Sequence, residues 1–273
     1  MLFAQISDLH IRMPGQKAYR VVETDRFLPP AIAALSALDP RPDFVLISGD
    51  LTDFGRAEEY AHLRYMLDKL PMPYYLMPGN HDDREALCAS FLEHTYLREM
   101  PGVVQYAIDA GEMRVLALDT VVPMQPQCAL CEARLQWLED RLAEMPGKPT
   151  VIAMHHPPFK TGIAHMDAIG LLEGESRFRT IVARHPNVER IVCGHVHRTV
   201  FQRYAGTVAS ICPSVAHQVA LDLRSSGPSA FVMEPPGFQI HHWLDGQLVT
   251  HGAFIGDYAG PYPFHDEGGL IDE

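Results

Sequence analysis

The sequence has no run of lysine or arginine residues, and its formal net charge is −12 with histidine taken as neutral. A protein that grips a long nucleic acid normally offers a basic face to the phosphates, so the composition argues against that class of partner. A small anionic substrate stays compatible with it, because the charge of one local site can be opposite to that of the whole chain.

Long apolar runs are also missing, and the first six residues lead into a polar cluster with no basic segment before them. A membrane helix needs roughly 20 consecutive apolar residues, and a secretory signal begins with a basic region. We therefore expect neither a membrane anchor nor a signal peptide, and we expect the protein to be cytoplasmic.

Cysteine is scarce: there are five, and an odd number without a signal peptide does not indicate a disulfide framework. Cys128 and Cys131 form one C-x-x-C pair, a spacing that could be half a zinc site or a redox pair. No second pair follows, so we interpret these thiols as residues of a loop-to-helix junction.

Short apolar runs alternate with helical patterns over most of the 273 residues. The apolar runs are rich in Val, Ile and Leu, and they predict buried strands at 2–7, 44–48, 74–77, 114–118, 150–154 and 190–193. Helices are predicted at 29–38, 56–70, 83–93, 132–145 and 175–184. This alternation predicts an α/β architecture.

After about residue 197 the pattern changes to short strands, predicted at 200–204, 207–211, 230–233, 238–244 and 247–253. Asp245-Gly246 separates the last two, which is a strong hairpin signal. On that hairpin, His241, His242 and His251 are expected on a solvated strand face. The tail from Tyr258 is rich in Gly, Pro and aromatic residues, so we expect a disordered end or an arm that packs on another subunit.

Polar residues cluster where five of the predicted strands end. The clusters are Asp8-Leu9-His10, Gly49-Asp50, Gly79-Asn80-His81-Asp82, His155-His156 and Gly194-His195-Val196-His197. Each one alone is common by chance and is usually a turn. In open α/β sheets, however, ligands bind outside the carboxyl ends of the strands, so five clusters in this order predict one shared site.

The side chains of these clusters offer oxygen and imidazole nitrogen donors, which suit Zn, Mn, Fe or Co, and thiolates are absent from them. About seven ligands are too many for one ion and enough for two, so we predict two divalent metal ions per chain. In two-metal sites the ions lie roughly 3.5–4 Å apart, and Asp50 is the candidate for a bridging carboxylate. The ions would lower the pKa of a bound water, so that a bridging hydroxide attacks the substrate.

The arrangement resembles the calcineurin-like metallophosphoesterase superfamily, whose pattern is D-x-H, G-D, G-N-H-[DE], a histidine at a strand end and G-H-x-H. All five elements occur between residues 8 and 197. The resemblance implies one metal bound by Asp8, His10 and His197, a second bound by Asn80, His195 and one of His155 or His156, and Asp50 bridging. It also implies that His81 contacts the substrate phosphate rather than a metal, so that Asp50 and His81 act in catalysis and Asn80 and His81 at the substrate.

Within the superfamily the chain most resembles bacterial class III cyclic nucleotide phosphodiesterases and related glycerophosphodiesterases. The supporting stretches are 6–10, 48–50, 78–83, 154–158, 193–195, 217–218 and 258–261. The resemblance places His217 beside the substrate phosphate and gives the C-terminal segment a role as a cap and in subunit contacts. It implies a two-sheet α/β sandwich flanked by helices, in which the late strands complete the second sheet.

On this basis we predict a catalytic domain over 1–218 and a C-terminal hairpin and tail over 219–273. The second segment would serve as a cap and in oligomerisation, and we expect a homo-oligomer, a dimer or higher.

Of the two adjacent histidines, His155 is the predicted ligand. Consecutive side chains on an extended backbone point to opposite faces, so only one of the pair aims readily at the metals. In the superfamily the ligand stands two positions before the proline of an H-x-P pattern, which here is Pro157. His156 would then pack nearby or hydrogen-bond to groups around the site.

The sequence thus predicts a metal-dependent phosphodiesterase that acts on small phosphodiesters, either glycerophosphodiesters or cyclic nucleotides. The alternatives on the same metal core are a nuclease, a phosphomonoesterase or a protein phosphatase. The missing basic face argues against a nuclease. A non-catalytic binding module would show a broken ligand set, and none of the predicted ligands is missing.

Overall fold

The computed structural model of the chain describes residues 1–267 and 269–271. Its strands are β1 Leu2–Ile6, β2 Phe44–Ser48, β3 Tyr74–Met77, β4 Tyr106–Ala110, β5 Met113–Leu118, β6 Cys128–Ala129, β7 Thr150–Met154, β8 Leu171–Glu173, β9 Val188–Cys193, β10 Val200–Tyr204, β11 Thr207–Ile211, β12 Gln218–Val219, β13 Phe231–Val232, β14 Gly237–Leu244, β15 Gln247–Phe254, β16 His265–Asp266 and β17 Gly269–Leu270. Its α-helices are α1 Leu28–Ser36, α2 Ala57–Leu67, α3 Arg84–Ser90, α4 Glu132–Glu144, α5 Ala164–Asp167 and α6 Glu175–Arg184.

Two sheets carry the architecture. The first has five strands in the order β15-β14-β1-β2-β3, in which β1, β2 and β3 are parallel and β14 runs antiparallel to β1. The second has six strands in the order β10-β11-β9-β7-β5-β4, with a parallel centre of β5, β7, β9 and β11. Both sheets therefore present the carboxyl ends of parallel strands.

Alternate residues of the second sheet belong to different hydrophobic clusters, which shows how the layers stack. Val115 and Ala117 of β5 pack in a cluster with residues of β1 and β2, whereas Leu116 and Leu118 pack with α4 and α6. Because side chains alternate across a strand, the first cluster fills the space between the sheets and the second lies under the outer helices. The predicted two-sheet α/β sandwich flanked by helices is confirmed.

The predicted strands and helices occur within a few residues of their predicted bounds, and the α6 bounds agree at both ends. The strand β4, Tyr106–Ala110, was not predicted. It is an antiparallel edge strand whose residues alternate between buried and exposed, and Asp109 interrupts its apolar pattern. Such a segment lacks the continuous apolar run by which the central strands are recognised.

The late strands divide between the two sheets, which corrects the expectation that all of them complete the second one. The strands β10 and β11 do extend the second sheet, but β14 pairs with β1 and carries β15 with it into the first. The predicted hairpin is present, with positive φ at both Asp245 and Gly246. The division into 1–218 and 219–273 stays a prediction, and residues 268, 272 and 273 of the tail lie outside the described part.

His241 is buried, so the expected solvated face is wrong for this residue. Its ring stacks on Phe3 at a centroid distance of 4.6 Å, and its Nε2 lies 3.2 Å from Oε1 of Gln5. His251 is exposed, as expected. The first five residues of β14, Gly237 to His241, are all buried, so both faces of this part of the strand are covered, which the residue pattern alone did not reveal.

Among the described residues, none of the helices has the length and apolar character needed to cross a membrane.

Candidate metal centre

The residues predicted at the strand ends meet in one buried group. Among the sets whose possible ligand atoms lie within 4.8 Å of one another, two hold most of the predicted ligands: Asp8, His10, Asp50 and His197, and His155, His156 and His195. Oδ1 of Asn80 lies 3.1 Å from Nδ1 of His195, which brings the seventh predicted ligand to the second set. The convergence of the clusters therefore holds in three dimensions.

The backbone is unusual at five of these positions. Asp8, His10, Asp50, His195 and His197 all have positive φ, between 46° and 71°. A positive φ is uncommon for residues other than glycine, and strained residues of this kind cluster at functional sites. Here the left-handed turns bend the chain just beyond the strand ends and aim the carboxylates and imidazoles at a common point.

Glycines flank these turns because the site leaves no room for a side chain there. A Cβ on Gly79 would lie 2.7 Å from Nε2 of His155, and one on Gly194 would lie 2.8 Å from Oδ2 of Asp8. Both distances are too short for a real Cβ. The glycines of the G-N-H and G-H-x-H elements thus let backbone and ligand side chains pack against each other.

The histidines are oriented by hydrogen bonds on the side away from the carboxylates. Nδ1 of His155 donates to the carbonyl oxygen of Ser48 at 2.8 Å, and Nδ1 of His197 donates to that of His217 at 2.9 Å. A carbonyl oxygen only accepts, so the neutral rings carry their protons on Nδ1 and present lone pairs on Nε2.

These Nε2 lone pairs face other electron-rich atoms. Nε2 of His155 lies 3.4 Å from Oδ2 of Asp50, and Nε2 of His197 lies 3.4 Å from Oδ1 of Asp8 and 3.1 Å from Nε2 of His10. Among the described residues, the buried Nε2 atoms of His155 and His195 have no hydrogen-bond partner. Lone pairs and carboxylates this close repel one another unless a proton or a metal ion lies between them, so the donor set fits metal ions, which would take the place of any proton on Nε2.

The two adjacent histidines differ in what their ring nitrogens contact. Nδ1 of His156 lies 2.8 Å from the Thr120 hydroxyl, and its Nε2 lies 3.3 Å from the carbonyl oxygen of Pro126. Both nitrogens are therefore engaged outside the cluster, whereas Nε2 of His155 faces Asp50. This geometry supports the choice of His155, which stays a prediction.

Burial and mutual charge shift the pKa values of these groups strongly. Burial, together with the Asp50 carboxylate, raises the pKa of Asp8 to about 7, although His155 opposes the shift. Burial also disfavours charge on Asp50 and His155, but their attraction outweighs it: the pKa of Asp50 falls, and that of His155 rises to about 9. Perturbed pKa values of this size in one cluster are typical of functional sites.

His81 lies at the rim of the cluster, with its side chain 29% exposed. Its backbone N–H donates to Oδ1 of Asp50 at 2.9 Å, and its Nδ1 donates to the carbonyl oxygen of Asp53 at 2.9 Å. Burial alone would lower the pKa of this ring. The Asp50 carboxylate, together with the backbone carbonyl and the carboxylate of Asp53, outweighs that effect, so the pKa of His81 is raised. The ring is thus held beside the site with Nε2 left for other contacts.

On the other flank, His217 is buried and close to the cluster. Its ring centroid lies 4.7 Å from that of His197 and 5.4 Å from that of His10, and its Nδ1 has no hydrogen-bond partner in the described part of the chain. Burial lowers its pKa to about 3, so the ring is neutral. Tyr19 and Phe231 pack around it at 5.3 Å each.

Sequence reasoning missed three residues of the site. Oδ1 of Asp53 lies 3.3 Å from Nδ1 of His10, and Asp82 accepts hydrogen bonds from the backbone of Leu51 and Gly79. Tyr19 comes from a loop between β1 and the next helix. The two aspartates could have been predicted from their positions in the sequence. Asp53 lies three residues after Asp50, and Asp82 lies inside the G-N-H-[DE] element, whereas nothing in the sequence singled out Tyr19.

The cysteines lie apart from this chemistry. Among the described residues, no cluster with the spacing of a metal site includes a cysteine. Cys128 and Cys193 are buried, while Cys131 is exposed just before α4. This placement agrees with the interpretation of the C-x-x-C pair as part of a loop-to-helix junction.

Comparison with known proteins identifies the family. Residues 1–199 match the family described as "Calcineurin-like phosphoesterase". A protein of Arcobacter nitrofigilis named "Probable glycerophosphodiester phosphodiesterase GpdQ" is 39% identical over the whole of both chains. One of Rhodopseudomonas palustris, named "Probable cyclic nucleotide phosphodiesterase", is 34% identical over 97% of each chain.

The fold is shared with a solved structure of a dimetal phosphatase from Danio rerio. The TM-score is 0.70 at 16% identity, and the match covers 93% of this chain and 98% of the other. Together with the family match and the full-length relatives, this shows that the chain belongs to the calcineurin-like phosphoesterase family.

Proposed function

We propose that this protein is a phosphodiesterase that uses two divalent metal ions to hydrolyse small phosphodiesters of the glycerophosphodiester or cyclic nucleotide class. The observation that carries the proposal is the buried cluster in which two imidazole nitrogens lie 3.1 Å apart and imidazole nitrogens lie 3.4 Å from carboxylate oxygens. The names of the full-length relatives support the substrate class.

The proposed ligands of one metal are Asp8, His10, Asp50 and His197, and those of the other are Asp50, Asn80, His155 and His195. Bound there, the metals would supply Lewis acidity toward the phosphoryl oxygens and lower the pKa of a bound water. Oxygen and imidazole donors suit Zn, Mn, Fe or Co, and cellular availability decides among such ions.

The protein's own side chains would then act on the substrate. His81 keeps its proton on Nδ1 through the Asp53 carbonyl, so Nε2 is the atom that carries a second proton to the leaving oxygen. Asn80 and His217 flank the same point and would bind the phosphoryl oxygens through their polar atoms. The neutral His217 contributes a hydrogen bond there rather than a charge.

We also infer that the protein forms a homo-oligomer through its tail. Tyr258, Tyr262 and Phe264 are 62%, 75% and 80% exposed in the single chain. Aromatic side chains exposed in a short, Pro-rich segment are typical anchors of protein interfaces. A second copy of the chain would bury them.

A substrate panel tests the proposed function. Bis(4-nitrophenyl) phosphate, glycerophosphoethanolamine, 3′,5′-cyclic AMP, 4-nitrophenyl phosphate and single-stranded DNA are assayed with Mn, Zn, Co and Fe(II) separately. We expect hydrolysis of one or more of the small diesters that exceeds turnover of the monoester and of the DNA. Preference for the monoester or for DNA would favour the alternative functions.

The Asp50→Ala variant tests the shared role of this carboxylate in the same assay. It should bind well under two metals per chain and lose nearly all activity, because each ion loses a ligand and the two cations lose the charge between them. Wild-type turnover by this variant would contradict the two-metal proposal.

A further inference from the structure

We propose that the cavity beside Asn80 and His81 is a subsite for the leaving alcohol, and that it favours a bulky, ring-bearing, largely apolar one. This inference rests on the proposed function and narrows its substrate class. The cavity, named here the α3 cavity, lies between α3, the segment 97–104 and the segment 121–124.

The α3 cavity reaches the rim of the candidate metal centre. Its lining includes Asn80 and His81, which stand at the rim of the ligand cluster. A phosphate bound at that cluster would therefore have the cavity on the His81 side. Since His81 is the residue proposed to protonate the leaving oxygen, the group that departs would occupy this space.

The size and surface of the cavity indicate a large apolar group. Its volume is about 690 Å³, which lies within the roughly 300–1,000 Å³ typical of small-molecule sites and far exceeds the need of a glycerol or ethanolamine group. Phe54, Leu97, Val103, Pro123 and Met124 contribute apolar surface to it. Phe54 and Met124 are 58% and 96% exposed, and exposed apolar residues around a pocket mark a binding surface.

The charged residues of the lining are mostly engaged within the protein. Arg84 donates to both carboxylate oxygens of the buried Asp119, at 2.6 and 2.8 Å, and to the carbonyl oxygen of Val121. The Asp83 carboxylate accepts from the N–H of Ala86 at the start of α3. Asp82 and Arg98 are hydrogen-bonded to backbone groups as well, so most of the charged side chains of the lining are already engaged and the rest of the wall offers apolar contact.

The walls are also held in place before any substrate binds. The Arg84–Asp119 pair joins α3 to the end of β5, and charge-assisted bidentate pairs are among the strongest hydrogen bonds in proteins. On the facing wall, Pro101 and Gly102 stand at the centre of a tight turn closed between Met100 and Val103, with φ +77° at the glycine. A preformed pocket loses little entropy on binding.

The opposite flank of the metal centre is crowded by comparison. The rings of Tyr19, His217 and Phe231 lie within 5.3–5.4 Å of one another there. A phosphodiester has two substituents, and the α3 cavity, with about 690 Å³, has the volume for the larger one. Because the two sides of the metal centre differ in free space, the bulky substituent of the substrate would lie on the His81 side.

The test fills the cavity from two walls and measures a specificity ratio. Val103→Trp and Cys88→Phe each place a ring into the α3 cavity, and Leu92→Trp is the control at an exposed site nearby that does not line it. The ratio is kcat/KM for ethyl 4-nitrophenyl phosphate, which carries one ring and one small substituent, divided by kcat/KM for glycerophosphoethanolamine. We expect it to fall at least about 10-fold in both cavity variants and to stay within about 2-fold in the control, as a change in apolar pocket contacts implies.

If the cavity variants fold poorly, the same specificity ratio can be measured after chemical labelling of the folded protein. In a Cys131→Ser background, benzyl methanethiosulfonate labelling of the half-buried Cys88 should lower the ratio more than labelling with the methyl reagent. Equal ratios in the cavity variants and the control, or equal effects of the two labels, would overturn the inference. If the wild-type protein hydrolyses neither diester, the proposed function itself fails, which is a separate result.

Discussion

Oδ1 of Asp53 lies 3.3 Å from Nδ1 of His10, and Nε2 of the same imidazole lies 3.5 Å from Asp50. The Asp53 carboxylate thus stands on one side of the ring and the ligand cluster on the other. The contact is a close electrostatic one rather than a well-aligned hydrogen bond, and a carboxylate beside a metal-binding histidine raises the basicity of its ring. The pair therefore links a residue outside the proposed ligand set to the strength of metal binding.

Asp53→Asn should weaken binding of one metal by about 10–100-fold, because the amide neither orients the ring through a charged contact nor raises its basicity. Competition with a fluorescent chelator measures the affinity. Asp68→Asn, at an exposed carboxylate on the surface, is the matched control and should bind metal like the wild type. Equal affinities of the Asp53 variant and the control would show that the contact does not support the site.

His155→Ala should lose one metal per chain, whereas His156→Ala should keep both. The reason is that Nε2 of His155 faces Asp50, while both nitrogens of His156 are engaged with Thr120 and Pro126. Elemental analysis of the purified variants gives the stoichiometry. Loss of a metal from the His156 variant alone would reverse the assignment.

His81→Ala should damage the hydrolysis of alkyl diesters far more than that of nitrophenyl diesters. General acid catalysis contributes about 10²–10⁴-fold, and an alkoxide needs the proton more than a nitrophenolate does. Metal content should remain near the wild-type value, since His81 is not a proposed ligand. Equal losses on both substrates would indicate that the ring stabilises phosphate charge instead.

Replacing Tyr262 and Phe264 by serine should shift the protein toward the monomer, because the tail loses two exposed aromatic anchors. Light scattering at micromolar concentration measures the mass. Tyr65→Ser, at a comparably exposed position on α2, is the control and should keep the wild-type mass. A monomeric wild-type protein at that concentration would refute the proposed assembly.

His241→Gln should make the protein less sensitive to acid. Burial lowers the pKa of His241 to about 3 from 6.5, so below pH 6.5 the unfolded chain takes up a proton that the folded state refuses. Because the folded state keeps the buried ring uncharged, protonation favours the unfolded state as the pH falls. The free energy of unfolding should therefore decrease by about 2 kcal/mol between pH 7.5 and pH 5.

Urea unfolding of both proteins at the two pH values measures this difference. The free energy of unfolding of the wild type should decrease by about 2 kcal/mol more than that of the variant. A stability difference between the two proteins that does not change with pH would contradict the prediction.

Much of the fold followed from the residue pattern. The central strands β2 and β7 are continuous apolar runs, and the structure places them at the predicted bounds because strands buried on both faces need such runs. The edge strand β4 and the sheet to which β14 belongs were not predictable in this way. Apolar and polar residues alternate only weakly along an edge strand such as β4. The sheet that a strand joins depends on contacts between residues far apart in the sequence.

The sequence by itself determined the chemistry of the site, because ligand identity depends on side-chain type and the motifs Asp8-x-His10, Gly49-Asp50 and Gly194-His195-x-His197 are local. Only the tertiary structure decided which nitrogen of each ring faces the carboxylates, since partners such as the Ser48 carbonyl come from other strands. It alone revealed Tyr19 and the α3 cavity. Such features arise from packing between segments far apart in the chain, and no local pattern encodes them.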